Sequence, residues 1–300
     1  MNIHKLILLV HIAFFSISPL RAGVGSSSAE FLLLPVGARP SAMGDSFVGI
    51  ADDIQALGYN PAGLGLLEKH ELLLMHSVWL VDTTYEYGAY AHKLPLGTLG
   101  FSATYVDAGD LIGRNSMGHP TGNFTASDLS LKIGYGYRFL EQMHVGFAGT
   151  CIMQKIDDAS RSGAAVDLGF LWEIIPEKFN LGSCIQNAGP RLQAFDTEDE
   201  TLPTVYQIGI GYYLFDNALI IGSELKKIIH GKPSFNSGFE YKIKDIIFLR
   251  SGAVFGSDRD ESLPFSFGLG LQIRNYQFDY CFEPFSDLDV THKIAFLIKI

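Results

Sequence analysis

Two short blocks of the 300-residue chain carry residue types used in nucleophilic hydrolysis: Gly44-Asp45-Ser46 near the amino end and Asp289-Val290-Thr291-His292 near the other. A serine becomes a nucleophile when a histidine within hydrogen-bond reach takes its proton and an acid orients that histidine. Enzymes built on such blocks place the serine at a strand end between alternating strands and helices, and supply an oxyanion donor from a Gly-x-Asn-Asp element. No such element occurs here. Ser46 is therefore read as part of a packed segment, His292 as the start of a last strand, and no catalytic residue is assigned.

The other chemistry-bearing residues are equally unspecific. Asp196-Thr197-Glu198-Asp199-Glu200 is acidic enough for calcium but lacks the spacing of a dedicated loop, so it reads as a solvated turn. Gly134-Tyr135-Gly136 and Gly268-Leu269-Gly270 are fragments of a nucleotide-loop pattern lying inside strand-like stretches with no helix after them. Nine His and three Cys (Cys151, Cys184, Cys281) show no metal-ligand spacing. No metal and no cofactor is expected.

The elements that would position any site are β-strands. In Asp128–Phe139, Leu129, Leu131, Ile133, Tyr135, Tyr137 and Phe139 alternate with Ser130, Lys132, Gly134, Gly136 and Arg138. The same period of two runs through 264–274 and recurs along the chain from Glu71, giving about fourteen strands. Short links, such as 94–97, 140–142, 243–245 and 274–275, alternate with long ones at 108–127, 157–162, 188–203, 228–232, 256–263 and 284–291. Alternating short turns and longer loops are the mark of an outer-membrane barrel, and an even strand number puts both chain ends on one side. Periodicity alone leaves open which face looks inward. A net charge of −10 with only 18% charged residues excludes a nucleic-acid partner. No apolar run after the first twenty residues is long enough for a membrane helix. The fold class is thus all-β, a transmembrane antiparallel barrel. Asp128, Lys132, Arg138, Asp167, Glu224, Glu240, Arg250, Arg274, Asp279 and Lys293 are expected to form its lumenal charges, paired with one another because unpaired buried charge is costly.

The amino end divides in two. Residues 1–22, a basic start followed by an apolar stretch and small residues around Pro19-Leu20-Arg21-Ala22-Gly23, read as an export signal. Residues 23–69 do not alternate, are broken by Gly37, Gly44, Gly49, Gly58, Gly63 and Gly65 and by Pro35, Pro40 and Pro61, and are apolar enough to pack. They read as a hatch plugging a barrel of residues 70–300. Asn60 before Pro61 favours a turn whose side-chain amide pairs with nearby backbone, and this turn is expected to lead the hatch into the first strand.

The hatch residues themselves are familiar: 31–44, FLLLPVGARPSAMG, then Ala51-Asp52-Asp53, then Asn60-Pro61-Ala62-Gly63-Leu64. With Ile185-Gln186-Asn187-Ala188-Gly189-Pro190 and a tail through Phe278-Asp279-Tyr280 to Thr291-His292-Lys293, the chain resembles the PorV/PorQ family of outer-membrane proteins. The Ala-Asp-Asp and Asn-Pro-Ala elements are also similar to the start of the long-chain fatty-acid transporter (FadL) barrels. That resemblance implies fourteen strands, an N-terminal hatch and transport of hydrophobic or amphipathic molecules across the outer membrane. The implied surroundings are outer-membrane lipid and a hydrophobic small-molecule ligand in the lumen. An alternative implied by the PorV likeness is a component that binds or shuttles cargo for type IX protein secretion, with secretion-system subunits as partners. The hatch motif carried by the resemblance, structural or gating, is Gly37, Arg39, Met43, Gly44, Asp52, Asp53, Asn60, Pro61 and Ala62. The last residue, Ile300, departs from the aromatic end of many such barrels.

Overall fold

The computed structural model describes residues 27–79, 83–193, 195, 199–256, 265–284 and 290–300. The signal-like residues 1–22 and much of the acidic run at 196–200 lie outside the described residues. Fourteen antiparallel strands close into a barrel in chain order, β1 pairing with β14. They are β1 Glu71–Val78, β2 Thr84–Leu94, β3 Gly97–Arg114, β4 Pro120–Leu140, β5 Met143–Ile156, β6 Ala159–Ile175 and β7 Phe179–Ala188. The second half is β8 Val205–Leu214, β9 Leu219–Ile228, β10 Pro233–Ile243, β11 Ile247–Phe255, β12 Phe265–Ile273, β13 Tyr276–Pro284 and β14 Val290–Lys299. The barrel is sealed at its base by His70 and Ile300, whose backbones exchange hydrogen bonds.

The burial pattern settles which face is which. Along β12, Phe265, Phe267, Leu269, Leu271 and Ile273 are all exposed, while Ser266 is buried against the lumen. Conversely Asp167, Glu224, Glu240, Arg250, Asp279 and Lys293 are buried inside. Large apolar side chains outside and charges inside invert the order of a water-soluble barrel and fit a wall facing acyl chains. Leu131 and Ile133 on β4 point outward with it. Two of the expected lumenal charges lie elsewhere: Arg138 is at the short-turn rim, donating to the Glu141 carbonyl, and Arg274 is exposed in the turn between β12 and β13.

Two connections differ from the sequence reading. The stretch 108–127, read as a loop, is mostly strand, because β3 and β4 run on past the barrel as a hairpin to Arg114 and from Pro120. Beyond the bilayer neither face of that hairpin needs to be apolar, so it carries no period of two. The 157–162 link is a tight turn, with Ile156 paired to Ala159 and Asp157 at positive φ.

Candidate functional site: the hatch and the cavity above it

Residues 27–69 lie within the barrel. The segment starts near the long-loop end, where the Ser28 amide donates to the Thr201 carbonyl at 2.9 Å. It descends through a short 3-10 turn, Glu30–Leu33, a helical turn, Ala38–Ala42, a second, Ala56–Tyr59, and a 3-10 helix, Pro61–Leu66, before entering β1.

The wall meets this segment with glycine. Gly136, Gly146, Gly169, Gly182, Gly211, Gly222, Gly238 and Gly252 sit on successive strands from β4 to β11, and a Cβ on any of them would lie inside 3.0 Å of hatch atoms. At Gly146 the neighbour is the Pro61–Ala62 peptide, at Gly182 the Val48 carbonyl, at Gly238 Met43, and at Gly252 the Met43–Gly44 peptide. The absence of side chains lets hatch backbone lie directly on wall backbone, which closes the short-turn half of the lumen. In the β4 fragment Gly136 plays this part against Gly65 and Gly134 makes room for the Leu57 side chain, whereas in β12 Gly268 makes room for the Ala42 side chain and Gly270 for the Arg250–Asp279 pair of the wall itself.

Polar groups then fix the hatch in place. Arg39, buried in the helical turn 38–42, donates through Nε to Glu240 Oε2 at 2.9 Å and through Nη1 to Asp53 Oδ2 at 2.7 Å, and it also pairs with Asp52. Glu240 in turn takes Arg250 Nε at 2.6 Å, and Arg250 reaches Asp279 at 2.6 Å. Burial works against the charge on Asp52, but the adjacent Arg39 guanidinium outweighs it and holds that carboxyl below the usual carboxylate range. Burial also works against the charge on Arg39, and its three carboxylate neighbours hold its pKa well above the usual value. Glu224 accepts the Phe47 and Val48 amides, each at 3.2 Å. Lys293 donates to Ser41 Oγ at 2.9 Å.

Each residue of the sequence motif has a place in this packing. Gly37, at φ 82°, turns the chain so that its amide donates to Met75 Sδ at 3.0 Å; Gly44, at φ 63°, donates to Ser266 Oγ at 3.2 Å. Asn60 is fully buried. Its Oδ1 accepts the Ala62 amide at 3.2 Å, capping the 3-10 helix that Pro61 opens. Its Nδ2 donates to Val48 O at 2.9 Å and to Phe170 O on β6 at 3.0 Å. The Asn60 turn therefore clamps two hatch segments to the wall, and the chain enters β1 only after the 3-10 helix. The hydrolase-like blocks do not meet: the Ser46 hydroxyl is buried and donates to Met43 O at 2.7 Å, whereas His292 stands on the outer face beside Tyr280 Oη, at 2.7 Å. Among the described residues no cluster of three or more His, Cys, Asp or Glu could hold a metal ion.

Above the hatch lies a cavity of about 40 Å³ between the 31–36 segment and the β2–β4 wall. One side is apolar, formed by Phe31, Leu32, Leu34 and Val36; the other carries Tyr85, Tyr87, Ser102, Thr104, Ser130 and Lys132. Lys132 Nζ pairs with Asp167 Oδ2 at 2.6 Å, and Asp167 also accepts the Asn187 amide at 2.8 Å. On the outer face of the same wall is an apolar groove of about 840 Å³ running from β1 to β6. The cavity and the groove share Ser102 and Lys132, so only the thickness of the sheet, built there from Gly88, Ala89, Ser102 and Ala103, separates them. Sequence reading placed the hatch motif but missed this cavity, because its lining comes from residues far apart in the chain whose only signal was small or polar side chains on inward positions.

A closed fourteen-stranded barrel with an inserted N-terminal plug is the class of protein these features define. The chain belongs to the uncharacterised protein family UPF0164, whose family model matches residues 20–169. No curated protein matches it in sequence. Among solved structures it is similar to the toluene transporter TbuX of Ralstonia pickettii, with TM-score 0.68 and 14% identity over 90% of this chain and 100% of that one. It is also similar to the toluene transporter TodX of Pseudomonas putida, with TM-score 0.64 and 12% identity over 88% and 97% of the two chains. The CymD monoaromatic hydrocarbon channel aligns with TM-score 0.67 and 12% identity over 89% and 98%. At these identities the likeness is one of fold.

Proposed function

We propose that the protein is a bacterial outer-membrane barrel, exported by the signal at residues 1–22, that passes hydrophobic or amphipathic small molecules of fatty-acid-like chemistry. The hatch is its periplasmic stopper. The observation that carries this reading is the two-faced cavity, with Phe31, Leu34 and Val36 opposite Lys132 and a row of hydroxyls. Such a lining suits a molecule with an apolar body and a polar or anionic end. At about 40 Å³ the cavity has room for only a few waters, so a ligand enters by displacing the 31–36 segment. The hatch is pressed against wall glycines, whereas the wall beside the cavity is a single sheet of small residues backed by an apolar groove. The fold of known hydrocarbon transporters supports the same reading. The finer assignment to the PorV/PorQ family rests on the hatch and tail residues alone, and no structural feature favours a cargo-binding role in secretion.

The test is binding of a dansylated fatty acid to the purified barrel, compared with Thr104→Trp, which fills the cavity. The reading expects saturable binding that the tryptophan weakens at least tenfold. Equal binding by both proteins contradicts it.

A further inference from the structure

On β2 the lipid-facing band is broken. On β10 or β12 the outward positions are nearly all Phe, Leu, Tyr or Ile, but on β2 they are Thr84, Glu86, Gly88, Tyr90 and His92. On β1, His76 points outward and its Nδ1 lies 2.6 Å from Glu86 Oε1, with both side chains about half exposed. His76 stands five residues above Glu71, or roughly 13 Å up the barrel at ~3.4 Å per residue and a tilt of ~40°. That is near the middle of a band about 25 Å tall. An ionisable pair at this depth is unfavourable against acyl chains and marks a surface that meets something else.

The shape of the flank says what. To one side of the pair is a ridge, Ile294 on β14, among the most exposed aliphatics of the wall, while Leu74 lies over Gly88 at the edge of the groove. To the other is the groove of about 840 Å³, floored by the small residues Gly88, Ala103, Gly149 and Ala164. We infer that this flank docks a second copy of the chain, through a two-fold axis along the membrane normal between β1 and β2. Such an axis sets β1 of each copy against β2 of the other. The ridge of one copy then enters the groove of the other, and His76 of one faces Glu86 of the other, so both shape and charge are self-complementary. Small residues at the contact let the two walls approach closely. The inference rests on the membrane placement proposed above.

The test is disulfide cross-linking in outer-membrane vesicles, with Cys151→Ser as the background. His76→Cys and Glu86→Cys chains are co-expressed, oxidised with copper phenanthroline and run on a gel. A dimer-mass band is expected with the pair, and none with Phe239→Cys on β10, away from the flank. Ala103→Trp, which fills the groove, is expected to abolish the band. Absence of the band, an equal band with Phe239→Cys, or an adduct of another mass overturns the inference. Heat-modifiable mobility and membrane fractionation of the same samples report separately whether the barrel is folded and in the membrane, so failure of the membrane reading is distinguishable from failure of the dimer.

Discussion

Arg39 Nε lies 2.9 Å from Glu240 Oε2, so one guanidinium on the plug is held by a carboxylate on the wall. Arg39 also satisfies Asp52 and Asp53, and Glu240 shares its charge with Arg250. Removing Arg39 leaves Glu240 with Arg250 but takes from Asp52 and Asp53 the cation that balances them, at a cost of up to about 3 to 5 kcal/mol. Arg39→Ala is expected to loosen the plug and raise leakage of a small polar dye from vesicles, while the barrel keeps its heat-modifiable mobility. Arg39→Lys, a point charge without the planar fork, is expected to fall between the two. Wild-type leakage from Arg39→Ala would show that the plug is held by backbone packing alone.

The glycine contacts give a matched pair of substitutions. Gly146 on β5 faces the Pro61–Ala62 peptide, whereas a side chain at Gly149 on the same strand would meet nothing within 4 Å. Gly146→Val is expected to displace the plug and to cost about 1 to 3 kcal/mol by overpacking. Gly149→Val, whose side chain would project into the outer groove and away from the plug, is expected to leave dye leakage at the wild-type level. Urea titration followed by gel mobility reads stability, and dye leakage reads the plug.

Acid should release the latch. The folded state holds Asp52 below the usual carboxylate range, so its stabilisation is complete above that range and is lost as pH falls through the lowered value. Dye leakage is therefore expected to stay flat from neutral pH to the upper edge of the ordinary carboxylate range and to rise progressively as pH falls through that range to the lowered value. Asp52→Asn is expected to leak already at neutral pH. A leak that rises at mildly acidic pH in the wild type would place the sensitive group elsewhere.

The two faces of β4 predict opposite sensitivities. Ile133 is exposed on the outer face. Ile133→Arg is expected to cost roughly 2 to 4 kcal/mol at the bilayer midplane, less toward either surface. The check is refolding into lipid vesicles under a urea series; no change would mean that this face does not contact acyl chains.

Much of this architecture is written locally. Leu129 to Phe139 announce an outward-facing strand because lipid on one side and lumen on the other impose a period of two. The Gly37 to Ala62 motif marks the plug because tight turns and buried caps need those residue types. Other features were illegible for physical reasons. The hairpin beyond Asp107 has no lipid face and so no alternation. Arg138 and Arg274 look like lumenal charges by parity but sit where strands end. The cavity depends on Phe31, Tyr85, Ser130 and Gln186, which only the closed barrel brings together. The register that sets Glu240 opposite Arg250 likewise exists only in the folded sheet.

The central claim, that a hydrophobic molecule crosses through this plugged barrel, is tested most directly by uptake of a fluorescent fatty acid into outer-membrane vesicles. Vesicles carrying the wild-type protein are compared with barrel-free vesicles and with vesicles carrying Thr104→Trp. The account predicts faster uptake with the wild type, reduced to the barrel-free rate by the tryptophan, with all proteins folded by gel mobility. Uptake by the wild type no faster than by barrel-free vesicles, or unchanged by Thr104→Trp, would contradict it.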